Sequence, residues 1–428
     1  MTVLILIAWR NIWRNKLRTL VVVAAIATGL SAALFAVAFT RGMVAQLVGE
    51  VVGMEVSHLL VAPTKGTPTH ASIPHAASLA EALEGIEGVS HAAARLVLPA
   101  MLSTANASAH VTLRGIDPKA EQGLTALQQR ILPGQGTYFE DQTTSPVIIG
   151  RRLAEDLQAT INTRIVTTFR DSRGEVVSTL FRVAGIYDYQ NSSFARSNAF
   201  VLRDELAGWH FDNPGEASEI VISLEHGLPH TTRMQEVVTQ WLGQYALKHT
   251  LPVTNVQTWE DLRPEVAFFY HYAGFISTLI LGIILLALGL VVVNTMLMVV
   301  NERRTELGVL RALGMKNIRL TTMMTLETFF MMLPGVALSI GITAILTTWL
   351  GSKGINLTMF SGEYQSPSHD YQSIVTLVTT VYPVYHLAEL IRLSIMVVVT
   401  ALLSSWMPVR NALRIQPANA VKDMLPPS

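Results

Sequence analysis

Several residue types that can do chemistry occur in this sequence, but their spacing matches no catalytic or metal-binding pattern. Five histidines lie dispersed between residues 58 and 110, without the HExxH spacing that puts two imidazoles on one helix face around zinc. There is no GxSxG nucleophile elbow, no GxxxxGK[ST] phosphate loop and no cysteine. We therefore expect no catalytic, metal-binding or cofactor-binding residues in this chain, and no ATP binding through a phosphate loop.

The most informative polar stretch runs from residue 301 to 315 and reads NERRTELGVLRALGM. Leu307, Leu310 and Leu313 recur at i, i+3 and i+6, which places them on one face of a short helix, away from the charged residues. Such a helix suits docking on a partner's groove; the alternative is a helix that lies on lipid. The candidate docking residues are Glu302, Arg303, Arg304, Glu306, Leu307, Gly308, Leu310, Arg311, Leu313 and Gly314.

Four apolar segments must position these residues. Half of the 428 residues are hydrophobic, only 14% are charged and the mean hydropathy is +0.38, which is too apolar for an ordinary soluble protein. Since a helix needs about 20 apolar residues to cross the hydrocarbon core, we predict four transmembrane helices. They cover about Leu17 to Phe39, Ala273 to Val300, Leu320 to Leu350 and Ala388 to Met407.

The third span carries one acid, Glu327, seven residues after Leu320. An ionisable group at this depth is either a proton or ion site, or a structural acid that snorkels or bonds a partner. Small residues at every fourth position in spans one and three predict close helix packing, such as Ala25, Gly29 and Ala33. That packing joins either a second copy of the chain or a homologous partner, or helices of the same chain.

Basic residues predict the orientation. The three short flanks, before span one, between spans two and three, and after span four, hold 12 basic and three acidic residues, whereas residues 42–270 hold 16 basic and 24 acidic ones. Since positive flanks stay inside, both termini are expected in the cytoplasm. With no net charge overall, the chain offers no field that would attract nucleic acid.

Residues 42–270 are expected to form a large α+β domain outside the membrane. Short strands alternate with short helices, as in Val147–Gly150 followed by Arg151–Leu157, and this texture favours small subdomains of the split βαβ kind. The helix of span two is expected to begin near Glu260 and to run to Arg304 as a stalk.

At this point the sequence resembles the MacB/FtsX superfamily of ABC transporter permeases, of type VII architecture. The resemblance rests on the order of one span, a large domain and three spans, on the segment ERRTELGVLRALGM, and on the motifs at both ends, AWRNIWRNKLR and MPVRNALRIQPANA. Three further motifs, Gly115–Pro118, Ile148–Gly150 and Val183–Ile186, resemble the lipoprotein-releasing LolC/LolE branch. The stretch Gln158–Thr163 and the long segment 351–387 depart from the pattern.

The resemblance implies a polytopic inner-membrane permease without enzymatic activity of its own. It implies a cytoplasmic ABC ATPase dimer that binds ATP and magnesium, a second permease in a homodimer or heterodimer, membrane lipid, and lipoprotein cargo passed to a periplasmic carrier. The acyl chains of such cargo are expected to enter near Val37 and Ile276. The alternatives are a tripartite, MacB-like efflux permease and an FtsX-like signalling protein that regulates a cell-wall hydrolase.

The expected organisation follows from these assignments. It comprises a cytoplasmic amphipathic segment (1–16), transmembrane helix 1 (17–41), a periplasmic α+β domain with stalk ends (42–270), transmembrane helix 2 (271–300), a cytoplasmic coupling helix (301–319), transmembrane helix 3 (320–350), a periplasmic loop (351–387), transmembrane helix 4 (388–408) and a cytoplasmic tail (409–428).

Overall fold

A computed structural model describes Arg10 and residues 16–64, 72–139, 144–189, 192–211, 215–225, 227–249, 252–357 and 380–412. Nearly all of the N-terminal segment, most of the predicted 351–387 loop and the end of the tail therefore lie outside the described residues. The chain divides into two compact units. We call them the helical unit (Met1–Val44, His271–Ile355 and Val381–Ser428) and the α+β unit (Ala45–Tyr270 and Asn356–Thr380).

Four long apolar helices occur in the part of the chain that the structure describes. Each is long and apolar enough to cross a membrane, with mean hydropathies between 2.0 and 2.9 over the best stretch of each. The helices are α1 Lys16–Glu50, α2 Ala76–Glu84, α3 Pro118–Glu121, α4 Arg151–Leu157, α5 Ser192–Ser197, α6 Arg203–His210, α7 Thr231–Lys248, α8 Trp259–Leu262, α9 Pro264–Glu302, α10 Arg304–Ala312, α11 Asn317–Lys353 and α12 Leu387–Ala412. A π-helical turn, Val51–Val56, follows α1.

The helix of span two begins slightly later than expected from the sequence. The expected helix from Glu260 to Arg304 is wrong at its beginning, because the chain forms the one-turn α8, breaks at Arg263 and starts α9 at Pro264. Proline suits the first turn of a helix, where no intrahelical partner awaits its missing N–H, and it cannot continue a preceding helix. The side chains of Thr258 and Asp261 form a capping box that fixes α8 separately.

Small residues let the four long helices approach one another within the helical unit. A Cβ added at Gly29 of α1 would lie 3.0 Å from Leu288 Cδ2 of α9, and one added at Gly335 of α11 would lie 2.9 Å from Ile26 Cγ2 of α1. In α12, Ser404 Oγ lies 2.9 Å from the Cβ position of Gly289. These stretches of small residues therefore pack helices of one chain, so they no longer argue for a second copy.

Among the described residues of the α+β unit, ten strands form one continuous set of pairings. They are β1 Leu59–Pro63, β2 Val89–Ser103, β3 Ser108–Ile116, β4 Ile131–Gly136, β5 Pro146–Gly150, β6 Arg164–Arg170, β7 Val176–Tyr187, β8 Asn198–Leu202, β9 Glu219–Leu224 and β10 Thr254–Thr258. The short strands β11 Ile355–Asn356 and β12 Thr380–Val381 form a separate pair.

The first subdomain has the split βαβ arrangement expected from the sequence. Its strands lie in the order β10-β1-β9-β2, and each adjacent pair is antiparallel. Alternate residues of these strands, such as Leu59, Val61 and Ile222, are buried together with Leu79 and Leu83 of α2 and Val238 of α7. Two amphipathic helices thus cover one face of the sheet.

The second subdomain is inserted between β2 and β9 in the chain. Its pairings run β2-β3-β8-β5-β7-β6 and return from β6 to β2, so six strands form a closed circuit, with β4 added beside β7. A second apolar core lies along these strands and includes Leu113, Ile149, Phe181 and Val201. The long β2 serves both subdomains, because it pairs with β9 up to Arg95 and with β6 from Ala100.

Candidate coupling site

The short helix α10 lies between the two longest helices of the helical unit in sequence, α9 and α11, and its end is defined by a glycine. Gly314 adopts φ +91°, a left-handed conformation that is easy only for glycine. Its N–H donates to Arg311 O at 3.0 Å, and the N–H of Met315 donates to Leu310 O at 3.1 Å. These two bonds form a Schellman motif, which satisfies carbonyls left without partners at the helix end.

One face of α10 packs on the chain's own helices. Leu307 is 7% exposed and joins an apolar cluster with residues of α9 and α11, among them Val300 and Met323. Leu310 is half-buried against the same cluster. The single docking stripe expected from Leu307, Leu310 and Leu313 is therefore divided, since the first two pack on α9 and α11 and the third is exposed.

The opposite face of α10 exposes a different apolar set. Val309 is 43% exposed and Leu313 is 80% exposed, and Ile318, at the start of α11, is 65% exposed. Lys316 and Arg319 are exposed beside them. Exposed apolar side chains rimmed by charge are typical of an interaction surface. We call Val309, Leu313 and Ile318 the outer face.

Arg303 fixes the beginning of α10 by bridging two carboxylates. Its Nε donates to Glu306 Oε2 at 2.9 Å and its Nη1 donates to Glu327 Oε2 at 3.0 Å. The side chains of Arg303 and Glu327 are only 13% and 7% exposed. Of the interpretations open for Glu327, this geometry supports a structural acid bonded to a partner.

The remaining predicted site residues occupy different surroundings. Glu302 is exposed, while Gly308 and Arg311 are half-buried; the Arg304 side chain lies outside the described part of the structure. Val37 packs against the apolar core of the helical unit, whereas Ile276 is 41% exposed on α9. The structure thus brings Arg303, Glu306 and Glu327 together.

A buried ionic cluster in the α+β unit was not expected from the sequence. Glu55, in the π-helical turn, forms a salt bridge with Arg263, which immediately precedes α9. The Glu55 carbonyl oxygen accepts hydrogen bonds from Arg95 Nη1 at 3.5 Å and Arg114 Nη1 at 3.3 Å. Arg95 also pairs through two nitrogens with the fully buried Glu121. The segment that follows α1 and the residue that precedes α9 are therefore joined to each other. The Glu55 carbonyl also links this segment to β2 and β3.

Burial and neighbouring charge act on the two central guanidinium groups in opposite ways. Burial lowers the pKa of Arg114, despite the nearby Glu219 carboxylate. Burial also acts to lower the pKa of Arg95, but the Glu121 carboxylate raises it, so that the pKa lies above its ordinary value. Arginine is not deprotonated in proteins, so both side chains stay charged and the cluster depends on its carboxylates to balance them.

Sequence comparison places the chain in a family. Residues 19–238, just over half of the chain, match the MacB-like periplasmic core domain, and residues 278–417 match the FtsX-like permease C-terminal domain. The chain belongs to the MacB/FtsX superfamily of ABC transporter permeases. Permeases of this superfamily are components of ABC transporters and work with a cytoplasmic ABC ATPase.

Two solved structures are similar to part of this chain. The periplasmic region of MacB from Actinobacillus actinomycetemcomitans is 13% identical, with 52% of this chain and 98% of that chain covered at a TM-score of 0.35. The extracellular domain of the noncanonic ABC-type transporter YknZ from Gram-positive bacteria is 16% identical, with 47% and 98% covered at a TM-score of 0.33. No curated protein matches the sequence.

Proposed function

We propose that this permease transmits ATP-driven motion from a separate cytoplasmic ATPase, which holds the ATP and magnesium, and that the ATPase binds the outer face of α10. The observation that carries the proposal is the division of α10 into two faces. Arg303 and Leu307 fasten the helix to α9 and α11, while Val309, Leu313 and Ile318 remain exposed. Because α10 is attached to α9 and α11 on one side and exposed on the other, a force that the ATPase applies to its exposed side would be transmitted to α9 and α11.

The buried ionic cluster supports a relay into the α+β unit. Because Glu55 and Arg263 lie at the ends of the segments that join α1 and α9 to this unit, a displacement of either end is resisted by a salt bridge. The same Glu55 holds Arg95 of β2 and Arg114 of β3. Movement of these segments would therefore reach the two subdomains through directed hydrogen bonds.

The cargo we propose is a lipoprotein, released from the inner membrane toward the outer membrane through a periplasmic carrier, with both termini of the permease in the cytoplasm. The support is the resemblance of the motifs Gly115–Pro118, Ile148–Gly150 and Val183–Ile186 to the lipoprotein-releasing branch. Efflux and envelope signalling are the alternatives within the same superfamily, and each would use the same coupling to an ATPase. A second permease subunit completes the proposed assembly.

The coupling proposal is tested with Leu313→Asp in the permease purified with its ATPase and reconstituted in lipid nanodiscs. We expect the variant to lose at least about tenfold in ATPase binding, since a buried apolar contact would be replaced by a charge. Leu247→Asp is the matched control, because Leu247 is 88% exposed at the end of α7. Both variants should unfold at the temperature of the parent protein.

Binding and permease-dependent stimulation of ATP hydrolysis are measured for both variants. Loss in Leu313→Asp alone supports docking at the outer face. If Leu313→Asp binds and stimulates the ATPase like the parent protein, the outer face belongs to the lipid interface and the docking proposal is wrong.

A further inference from the structure

A cavity of about 530 Å³ opens where β2 passes from one sheet to the other. Arg95 is the last β2 residue paired with β9 and Ala100 is the first paired with β6, so the residues between them have one unpaired edge. Ser218 Oγ accepts the Val97 N–H at 2.8 Å, and strand alternation turns the peptide nitrogen of Pro99 toward the same edge. Because proline has no N–H, no strand can continue the ladder there, and a gap remains.

The floor of this cavity is apolar and belongs to the core of the strand circuit. Leu96, Leu98, Val111 and Phe169 line it, and each is at most 5% exposed. A volume of about 300–1,000 Å³ with an apolar lining is typical of small-molecule sites. The cavity can therefore take a short hydrocarbon chain or a ring.

The rim of the cavity is polar, and the ionisable groups among the described residues that line it are all basic. Arg170, His110 and His210 belong to the lining, and no Asp or Glu does. This contrasts with residues 42–270 as a whole, where 24 acidic residues outnumber 16 basic ones. The described part of the lining therefore offers the positive charge of Arg170 to an anion.

Two hydrogen bonds to backbone carbonyl oxygens hold the rim in place. Arg170 O accepts a hydrogen bond from His210 Nδ1 at 3.0 Å, and the N–H of Ser172 donates to His210 O at 3.0 Å. These bonds fasten the end of α6 to the β6–β7 hairpin, next to Phe211 in the cavity wall. Because the hairpin and α6 are already joined, the site needs no ordering step before it binds a ligand.

We propose that this cavity binds a small anionic amphiphile, whose apolar part enters between β2 and Phe169 and whose acid group pairs with Arg170. The Arg170 guanidinium suits this role, since its hydrogen bond to Gly174 O is long at 3.4 Å and leaves further N–H donors. The ligand class follows from an apolar floor and a basic rim. The cavity lies in the α+β unit and is independent of the outer face of α10.

The test uses a photoreactive medium-chain fatty acid that carries a diazirine, applied to the full-length permease in nanodiscs. Probes of the same chain length with an alcohol or an amine head group show whether charge matters. Labelled peptides are located by mass spectrometry. We expect the acid to label peptides containing residues 96–101, 168–176 or 210–211 in preference to the alcohol and the amine.

Arg170→Gln should reduce labelling by the acid about tenfold, because a charged hydrogen bond is lost, and should leave labelling by the alcohol unchanged. Arg152→Gln is the control, because Arg152 is also exposed and pairs with Glu155 on the surface of α4. Equal labelling by acid and amine, equal acid labelling of Arg170→Gln and the parent protein, or labelling confined to the long apolar helices would overturn the proposal. ATPase binding is measured in parallel, so failure here is distinguishable from failure of the coupling proposal.

Discussion

At the scale of single residues, the coupling site depends on Arg303, which pairs with one exposed and one buried carboxylate. Glu306 is 41% exposed, while Glu327 is 7% exposed. Removing one partner of a buried pair leaves the other charge without compensation, which costs more than the pair itself contributes. The two contacts of Arg303 should therefore differ strongly in their effect on stability.

We predict that Glu327→Gln and Arg303→Gln each lower the free energy of unfolding by about 3 kcal/mol. The double variant should lose less than the sum of the two, with a coupling of about 1–3 kcal/mol. Denaturant unfolding in mild detergent, followed by circular dichroism, measures all three. Glu306→Gln is the control and should cost less than about 1 kcal/mol. Strictly additive losses would mean that Arg303 and Glu327 do not stabilise each other.

Part of this residue-level arrangement was accessible from the sequence. An acid in an apolar span needs a partner, and the nearest cations are those of residues 303–319. The pairing of Glu55 with Arg263 joins residues 208 positions apart, and no local pattern indicates it. Arg95, alone in the apolar run AAARLVL, was the one available signal of a buried charge.

At the scale of elements, hydropathy predicted the four long helices because about 20 apolar residues in a row are typical of a membrane-spanning helix. Their contacts could not be predicted in the same way, since a stripe of small residues serves contacts within and between chains equally. The strand order was equally inaccessible, because β1 pairs with β9 and β10, which follow it by more than 150 residues.

Helix packing yields a matched pair of predictions on α11. Gly335→Ala would place a methyl group 2.9 Å from Cγ2 and 3.0 Å from Cβ of the fully buried Ile26, which cannot move aside easily. We expect a loss of about 1–3 kcal/mol in unfolding free energy from overpacking. Gly341→Ala has no atom within 4 Å of its new methyl group and should be neutral or stabilising by up to about 1 kcal/mol.

Thermal unfolding of both α11 variants in the same lipid or detergent measures this difference. Equal midpoints for Gly335→Ala and Gly341→Ala would show that α1 and α11 do not touch at this point.

At the scale of the whole molecule, family membership follows from regions that cover both the α+β sequence and the last three apolar helices. The cargo does not follow from them, because the fold is shared by permeases of different function. The proposed lipoprotein cargo implies that its acyl chains enter at one depth of the membrane. Two positions on α9 can test this.

Ile276 and Leu297 lie on the same helix and are 41% and 43% exposed. Their separation of about 30 Å is roughly the hydrocarbon thickness. Since the chain has no cysteine, Ile276→Cys and Leu297→Cys can each carry a single photoreactive label. We predict that acylated cargo is captured from position 276 and not from position 297. Equal capture at both depths would contradict entry from the outer leaflet.

The strand β2, shared by the two subdomains, has a consequence for the order of synthesis. The whole strand circuit lies between β2 and β9 in the chain, so it can close before the split βαβ sheet has its last two strands. Until residues 219–258 emerge, β1 has neither of its neighbours, and its apolar side chains remain exposed on the nascent chain. The first described strand is thus among the last to be paired, and its apolar side chains are open to aggregation during translation.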